Sequence, residues 1–120
     1  MPRILAVDDS PSMRQMVSAT LTSAGYEVEQ AEDGVQALQL AGRHRFDLVI
    51  TDVNMPNMDG ITLVRELRGK PNYKYVPLLI LTTEATSERK MQGKSAGATG
   101  WLVKPFNPER LLATIQKVLV

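Results

Sequence analysis

Short apolar runs alternate with longer stretches of helical period along this chain, and that alternation constrains the fold more than any other feature. Arg3–Val7 (RILAV), residues 48–50 (LVI) extended by Asp47 and Thr51, and residues 78–81 (LLIL) are β-branched or Leu-rich, the pattern of strands buried on both faces. They predict three central strands. Glu27–Ala31 (EVEQA) alternates and is more polar, as an edge strand does, and residues 101–103 (WLV) after Gly97, Ala98, Thr99 and Gly100 predict a short last strand at the other edge.

The stretches between them have recognisable helix starts. Ser10 as N-cap with Pro11 at the first helical position opens a helix whose apolar stripe is Met13, Met16, Val17 and Leu21, ended by Gly25. Asp33-Gly34 opens the second, with Val35, Leu38 and Ala41 facing inward. Asp59 caps the third, striped by Leu63, Val64 and Leu67 and closed by Gly69 and Pro71. Asn107-Pro108 starts the last, with Leu111, Leu112, Ile115, Val118 and Leu119 on one side. The helix around residues 86–95 is the least amphipathic: Met91 and Ala96 are almost its only apolar anchors and Gly93 lies inside it, which predicts a mobile or partner-facing element. The six methionines are expected to serve packing.

Five strands alternating with five helices imply an α/β fold, a doubly wound parallel sheet with right-handed crossovers. Placing the polar second strand at an edge beside the first gives the order 2-1-3-4-5, and ligands of such sheets sit outside the carboxyl ends of the strands. A chain of 120 residues is expected to be one domain, 1–120, with no output domain. Lys and Arg number 14 against 13 Asp and Glu, and a net charge of +1 argues against nucleic acid as a partner. The absence of Cys excludes thiolate metal sites and thiol nucleophiles, and the single His44 leaves no imidazole cluster. No signal-peptide core or run of 18 apolar residues is present, so no membrane association is expected and the cytoplasm is the expected compartment.

The residues that follow the strands carry the chemistry. Asp8 and Asp9 follow the first, Asp52 ends the third, Thr82 and Thr83 end the fourth, and Lys104 follows the fifth. Three carboxylates sharing one pocket repel unless a cation neutralises them. With only oxygen ligands on offer, the hard ion Mg2+ is the expected occupant, with Mn2+ able to substitute. A metal, a free carboxylate, a lysine and a hydroxyl are the parts of phosphoryl transfer to an acyl acceptor. Asp52, on a central strand, is best placed as nucleophile, and the adjacent Asp8 and Asp9 as metal holders. Thr82 and Lys104 share the charge that spreads over the transferring oxygens. A cis Lys104-Pro105 bond would suit a sharp turn that aims Lys104 inward.

The motifs VDDS at 7–10, TDVNMPNMDG at 51–60, LTTEA at 81–85 and VKPF at 103–106 resemble, in order and spacing, those of two-component response-regulator receiver domains, over essentially the whole chain. The resemblance implies the flavodoxin-like (βα)5 receiver fold, Asp52 as phosphoacceptor, Asp9 as direct Mg2+ ligand beside Asp8, and the Asn54 backbone carbonyl as another ligand. Thr82 would be the switch hydroxyl and Lys104 the phosphate-binding lysine. Asn54 and Glu84, each two residues after a site residue, would tune dephosphorylation, and the pattern is most similar to single-domain CheY-type chemotaxis regulators. The implied protein is a monomeric signalling switch rather than an enzyme, phosphorylated by a CheA-like sensor histidine kinase or by small donors. Its implied output is a flagellar motor switch protein, with a phosphatase as a further partner. Trp101 stands where such regulators usually carry the Tyr or Phe that swings inward on activation.

Three other readings compete. A phosphorelay receiver passing phosphate to a histidine phosphotransfer protein is the closest. An Asp-nucleophile phosphatase is disfavoured because TDVNM has no second Asp two residues after Asp52 and the length leaves no cap. A flavodoxin-type FMN protein is disfavoured because two acids follow the first strand where a phosphate loop should be.

Overall fold

Parity along the strands decides which helix covers which side of the sheet. The computed structural model describes residues 2–119, and its five strands are β1 (Arg3–Val7), β2 (Glu27–Ala31), β3 (Leu48–Thr51), β4 (Leu78–Thr82) and β5 (Gly100–Val103). All pair in parallel in the order β2-β1-β3-β4-β5, as the hydrophobic pattern predicts. Ile4, Ala6, Leu48, Ile50, Leu79 and Leu81 turn to one face, where α1 (Pro11–Ser23) and α5 (Pro108–Val118) cover them with Val17, Leu21, Leu111 and Ile115. Leu5, Val7, Val49, Leu78 and Ile80 turn to the other, under α2 (Gly34–Arg43), α3 (Gly60–Arg68) and α4 (Ser87–Ala96). The expected doubly wound fold is therefore present.

Each helix begins at a side-chain cap: Ser10, Asp33, Asp59, Thr86 and Asn107 accept from the backbone N–H three residues on. The stripes differ from expectation at three residues. Met16 and Val35 are exposed, because α1 turns Val17, Ser18 and Leu21 inward and α2 turns Gly34, Ala37 and Ala41 inward. Met91 is 68% exposed and anchors nothing; α4 is seated by Gly93 and Ala96 instead. Met13, Met55 and Met58 do pack against the two cores.

The α3–β4 connection contains a 3-10 turn at Pro71–Tyr73 and is organised by one side chain. Arg68, on the last turn of α3, donates through Nη1 to the carbonyls of Tyr73 (2.7 Å) and Val76 (2.6 Å) and through Nε to that of Gly97 (2.8 Å). Its Nη2 reaches the Thr99 hydroxyl at 3.2 Å, which itself accepts from Leu78 N–H. Gly97 closes α4 with φ of 109°, a left-handed conformation suited to glycine, and a Cβ there would lie 2.7 Å from Arg68 Cγ.

Candidate functional site

The sheet register brings the ends of β1, β3, β4 and β5 to one edge: Val7 lies opposite Thr51, and Thr82 opposite Val103. The residues just beyond are fixed by the neighbouring strands. Asp8 N–H donates to Ala31 O, Asp52 N–H to Val7 O, and Lys104 N–H to Thr82 O. Their side chains then converge. Lys104 Nζ donates to Asp8 Oδ2 at 2.7 Å and to Asp52 Oδ2 at 2.9 Å, with all three side chains about nine-tenths buried. Burial pulls the Lys104 ammonium's pKa down, and the two carboxylates outweigh it, holding it above the ordinary lysine value. The Lys104-Pro105 bond is cis.

The second oxygens of both acids are also bonded. Asp8 Oδ1 accepts from Ser10 N–H at 2.9 Å, and Asp52 Oδ1 from Val53 N–H at 2.6 Å. The Asp8 carbonyl accepts from Arg14 Nη1 at 2.7 Å, so main chain and side chain of Asp8 are both held. Asp9 is exposed, and Asp8, Asp9 and Asp52 each offer a carboxylate oxygen within 4.8 Å of the others. An all-oxygen set of three carboxylates with one side open to solvent, two of them already bridged by an ammonium, fits a hard divalent ion.

Helix α3 starts hard against the end of β3. A Cβ at Gly60 would stand 1.8 Å from the Asp52 carbonyl oxygen, so only glycine allows this approach, and Gly60 N–H donates to Val53 O. The intervening loop carries Asn54, which is exposed, and Asn57 in the left-handed region at φ 68°. Asn57 Nδ2 donates to Asp33 Oδ2 at 2.8 Å. The Asp33 carboxyl is held below its ordinary value by the Gln36 N–H, with Asn57 adding to it.

Thr82 is fully buried and its Oγ1 accepts from Glu84 N–H at 3.3 Å. Trp101 is half-buried on β5, and its indole Nε1–H donates to the Glu84 carbonyl at 2.9 Å. The structure thus brings Asp8, Asp9, Asp52 and Lys104 together, places Asn54 on the loop after β3 and Thr82 at the carboxyl end of β4, and ties Glu84 to Trp101. Arg14 belongs to the same neighbourhood and escaped the sequence reading, as did the close approaches made at Gly60 and Gly93. A basic residue in the first turn of α1, after two acids, is the signal that could have marked Arg14.

The profile described as "Response regulator receiver domain" matches residues 4–116. Chemotaxis protein CheY-3 of Vibrio cholerae is 38% identical over 117 residues, covering 97% of this chain and 90% of that protein. The DNA-binding dual master transcriptional regulator RpaA of Synechocystis is 40% identical over 119 residues, and there the chain spans 49% of the relative, about half its length. Among solved structures, chemotaxis protein CheY4 of Vibrio cholerae superposes with a TM-score of 0.94 at 59% identity over 98% of each chain. The receiver domain of sensor histidine kinase PA1611 of Pseudomonas aeruginosa, solved with a magnesium ion coordinated in its active-site cleft, gives 0.92 at 34% identity over 98% of this chain and 97% of that one.

Proposed function

Because the chain belongs to the response regulator receiver domain family, we propose that it is a phosphorylation-dependent switch that takes a phosphoryl group on Asp52 from a sensor histidine kinase and thereby changes its affinity for an output partner in chemotaxis. The observation that carries this reading is the Lys104 ammonium spanning Asp8 and Asp52 next to Asp9. It marks a place built for concentrated negative charge, with a nucleophilic carboxylate at its centre. The likeness to CheY4 at 59% identity over 98% of each chain supports chemotaxis, and the resemblance of the sequence motifs to CheY-type regulators supports a flagellar motor switch protein as output.

Asp52 Oδ attacks phosphorus, the bond from phosphorus to the donor's bridging oxygen or imidazole nitrogen breaks with its electron pair, and that group leaves. Lys104 follows the negative charge from the carboxylate to the transferred oxygens, and the Thr82 hydroxyl donates to them from the β4 side. Ser10 N–H and Val53 N–H keep the two acids from rotating as charge builds. Asp8, Asp9, Asp52 and the Asn54 carbonyl would hold Mg2+, which when bound would supply positive charge to neutralise the acids and the phosphoryl oxygens. Asn54 and Glu84 flank the path by which water returns to the acyl phosphate and set its lifetime.

Incubation with acetyl phosphate and Mg2+ should add one phosphoryl group by intact mass, and Asp52→Asn should abolish it. Persistence of the added mass in Asp52→Asn refutes the assignment. Pull-downs with and without beryllofluoride identify the output class: capture of a histidine phosphotransfer protein in place of a motor component would make the protein a relay receiver.

A further inference from the structure

Two hydrogen bonds in series join Trp101 to the site, and neither involves a reacting atom. The indole Nε1–H donates to the Glu84 carbonyl at 2.9 Å, and the Glu84 N–H donates to Thr82 Oγ1 at 3.3 Å. The main chain of Glu84 is therefore pinned at its N–H by the buried hydroxyl at the carboxyl edge and at its carbonyl by the ring on β5. Thr83 and Ala85 on either side are exposed, and among the described residues these two bonds are what holds 83–85. A phenylalanine at 101 would fill most of the same space and donate nothing.

The ring can lie there because residue 93 is glycine. A Cβ on Gly93 would stand 2.7 Å from Trp101 Cζ3, 2.9 Å from Cε3 and 3.2 Å from Ile80 Cδ1. Packed interiors do not accept such approaches without moving a group. Glycine inside a helix lowers its stability relative to alanine, and the ring seated on it accounts for its presence in α4.

We infer that Trp101, seated by Gly93, is a positioning residue for loss of the phosphoryl group, because it fixes the Glu84 peptide and with it the station from which Glu84 meets the incoming water. The inference rests on Asp52 being the acceptor and on Glu84 flanking the path of the water, so a Glu84→Ala decay equal to the parent's overturns it. In that hydrolysis the water oxygen bonds to phosphorus and the bond between phosphorus and the Asp52 oxygen breaks. The electron pair returns to the carboxylate, and the water's proton leaves with the phosphate or to solvent. Trp101 touches none of these atoms. A partner that draws the indole off Gly93 consequently alters how long the signal lasts as well as reading it.

The test compares the parent, Trp101→Phe and Gly93→Ala, each with and without Glu84→Ala. Each is phosphorylated from acetyl phosphate in excess Mg2+, freed of donor, and followed by the decay of the added mass. Both single variants should shift the decay rate in the direction that Glu84→Ala shifts it. The expected size is about fivefold, the factor that one neutral hydrogen bond of about 1 kcal/mol makes in a rate. In the Glu84→Ala background the additional factor should fall toward unity, which a general loosening of the fold would not produce. Trp101 emission of metal-free Gly93→Ala should move to the red, reporting that the ring has left its seat. Unchanged decay in both single variants overturns the inference, as does an unshifted emission in Gly93→Ala or an undiminished factor in the Glu84→Ala background. If the parent takes up no label at all, the assignment of Asp52 falls, and this inference with it.

Discussion

Replacing Lys104 with Met tests how much of the site's stability depends on one ammonium. Lys104 Nζ stands 2.7 Å from Asp8 and 2.9 Å from Asp52, and its side chain is 8% exposed, against 8% and 11% for the two acids. Breaking a buried pair from one side costs about 3–5 kcal/mol because the abandoned charge has no partner. Here each acid keeps one backbone N–H, and Asp9 marks an open side from which water reaches the freed oxygens. The lower end of that range, about 3 kcal/mol, is therefore expected for Lys104→Met in chelator at neutral pH. Urea unfolding followed by circular dichroism measures it. Mg2+ should restore more stability to the variant than it adds to the parent, since no ammonium competes for the same carboxylates; a saturating ligand at a hundred times its Kd adds about 2.7 kcal/mol. The pH dependence has a definite sign. Lys104 has a folded pKa above its unfolded one, so its contribution is complete at neutral pH and is lost only as pH climbs past about 10.4 and through the folded value. A variant as stable as the parent in chelator, or an Mg2+ increment no larger than the parent's, would refute the account of Lys104 as the site's resident cation.

Three further outcomes follow from other contacts. Substituting Asn54 or Glu84 by Ala should change the decay of phosphoryl-Asp52 several-fold, and rates equal to the parent's would make both bystanders. In the parent, beryllofluoride added to the Mg2+ form should change Trp101 fluorescence beyond what Mg2+ does, and Thr82→Ala should lack that second change; an equal change in both would exclude Thr82 as the transmitter. Arg68→Ala should destabilise the fold by about 3 kcal/mol, since hydrogen bonds from a charged group contribute about 1.5–3 kcal/mol each and do not add fully. Arg68→Lys should recover little of it in urea unfolding, because an ammonium cannot span the carbonyls of Tyr73, Val76 and Gly97.

Much of this architecture was legible because the information is local. Four caps, at Ser10, Asp33, Asp59 and Asn107, three apolar strand runs and the polar alternation of Glu27–Ala31 suffice to order the elements, and the strand ends then deliver Asp8, Asp52, Thr82 and Lys104 to one edge. What stayed hidden depends on contacts between residues far apart in the chain. Met16, Val35 and Met91 satisfy a helical period by sequence, but the direction a helix faces is set by what lies beneath it, and small residues such as Ala37, Gly93 and Ala96 fit against the sheet side where larger ones do not. Gly93 looked like a weak point in α4 because nothing in the sequence shows that a ring eight residues later lies on it. Arg68 looked like an ordinary charge at a helix end. Its acceptors are backbone carbonyls, which leave no trace in residue type.

That one arginine divides the molecule mechanically. By gripping the end of α4, the end of α3 and the loop before β4 at once, Arg68 welds the amino-terminal rim of that face into a stiff block. The opposite end of α4, beyond the Thr86 cap, leads into a loop held by single hydrogen bonds at Glu84. A rod clamped at one end and lightly tied at the other is displaced most at the tied end, so a force applied at Thr82 should move the first turns of α4 more than it moves Gly97. The expected place for compliance is therefore the stretch of surface between residues 83 and 93, where few hydrogen bonds hold the chain, rather than the rim that Arg68 ties together.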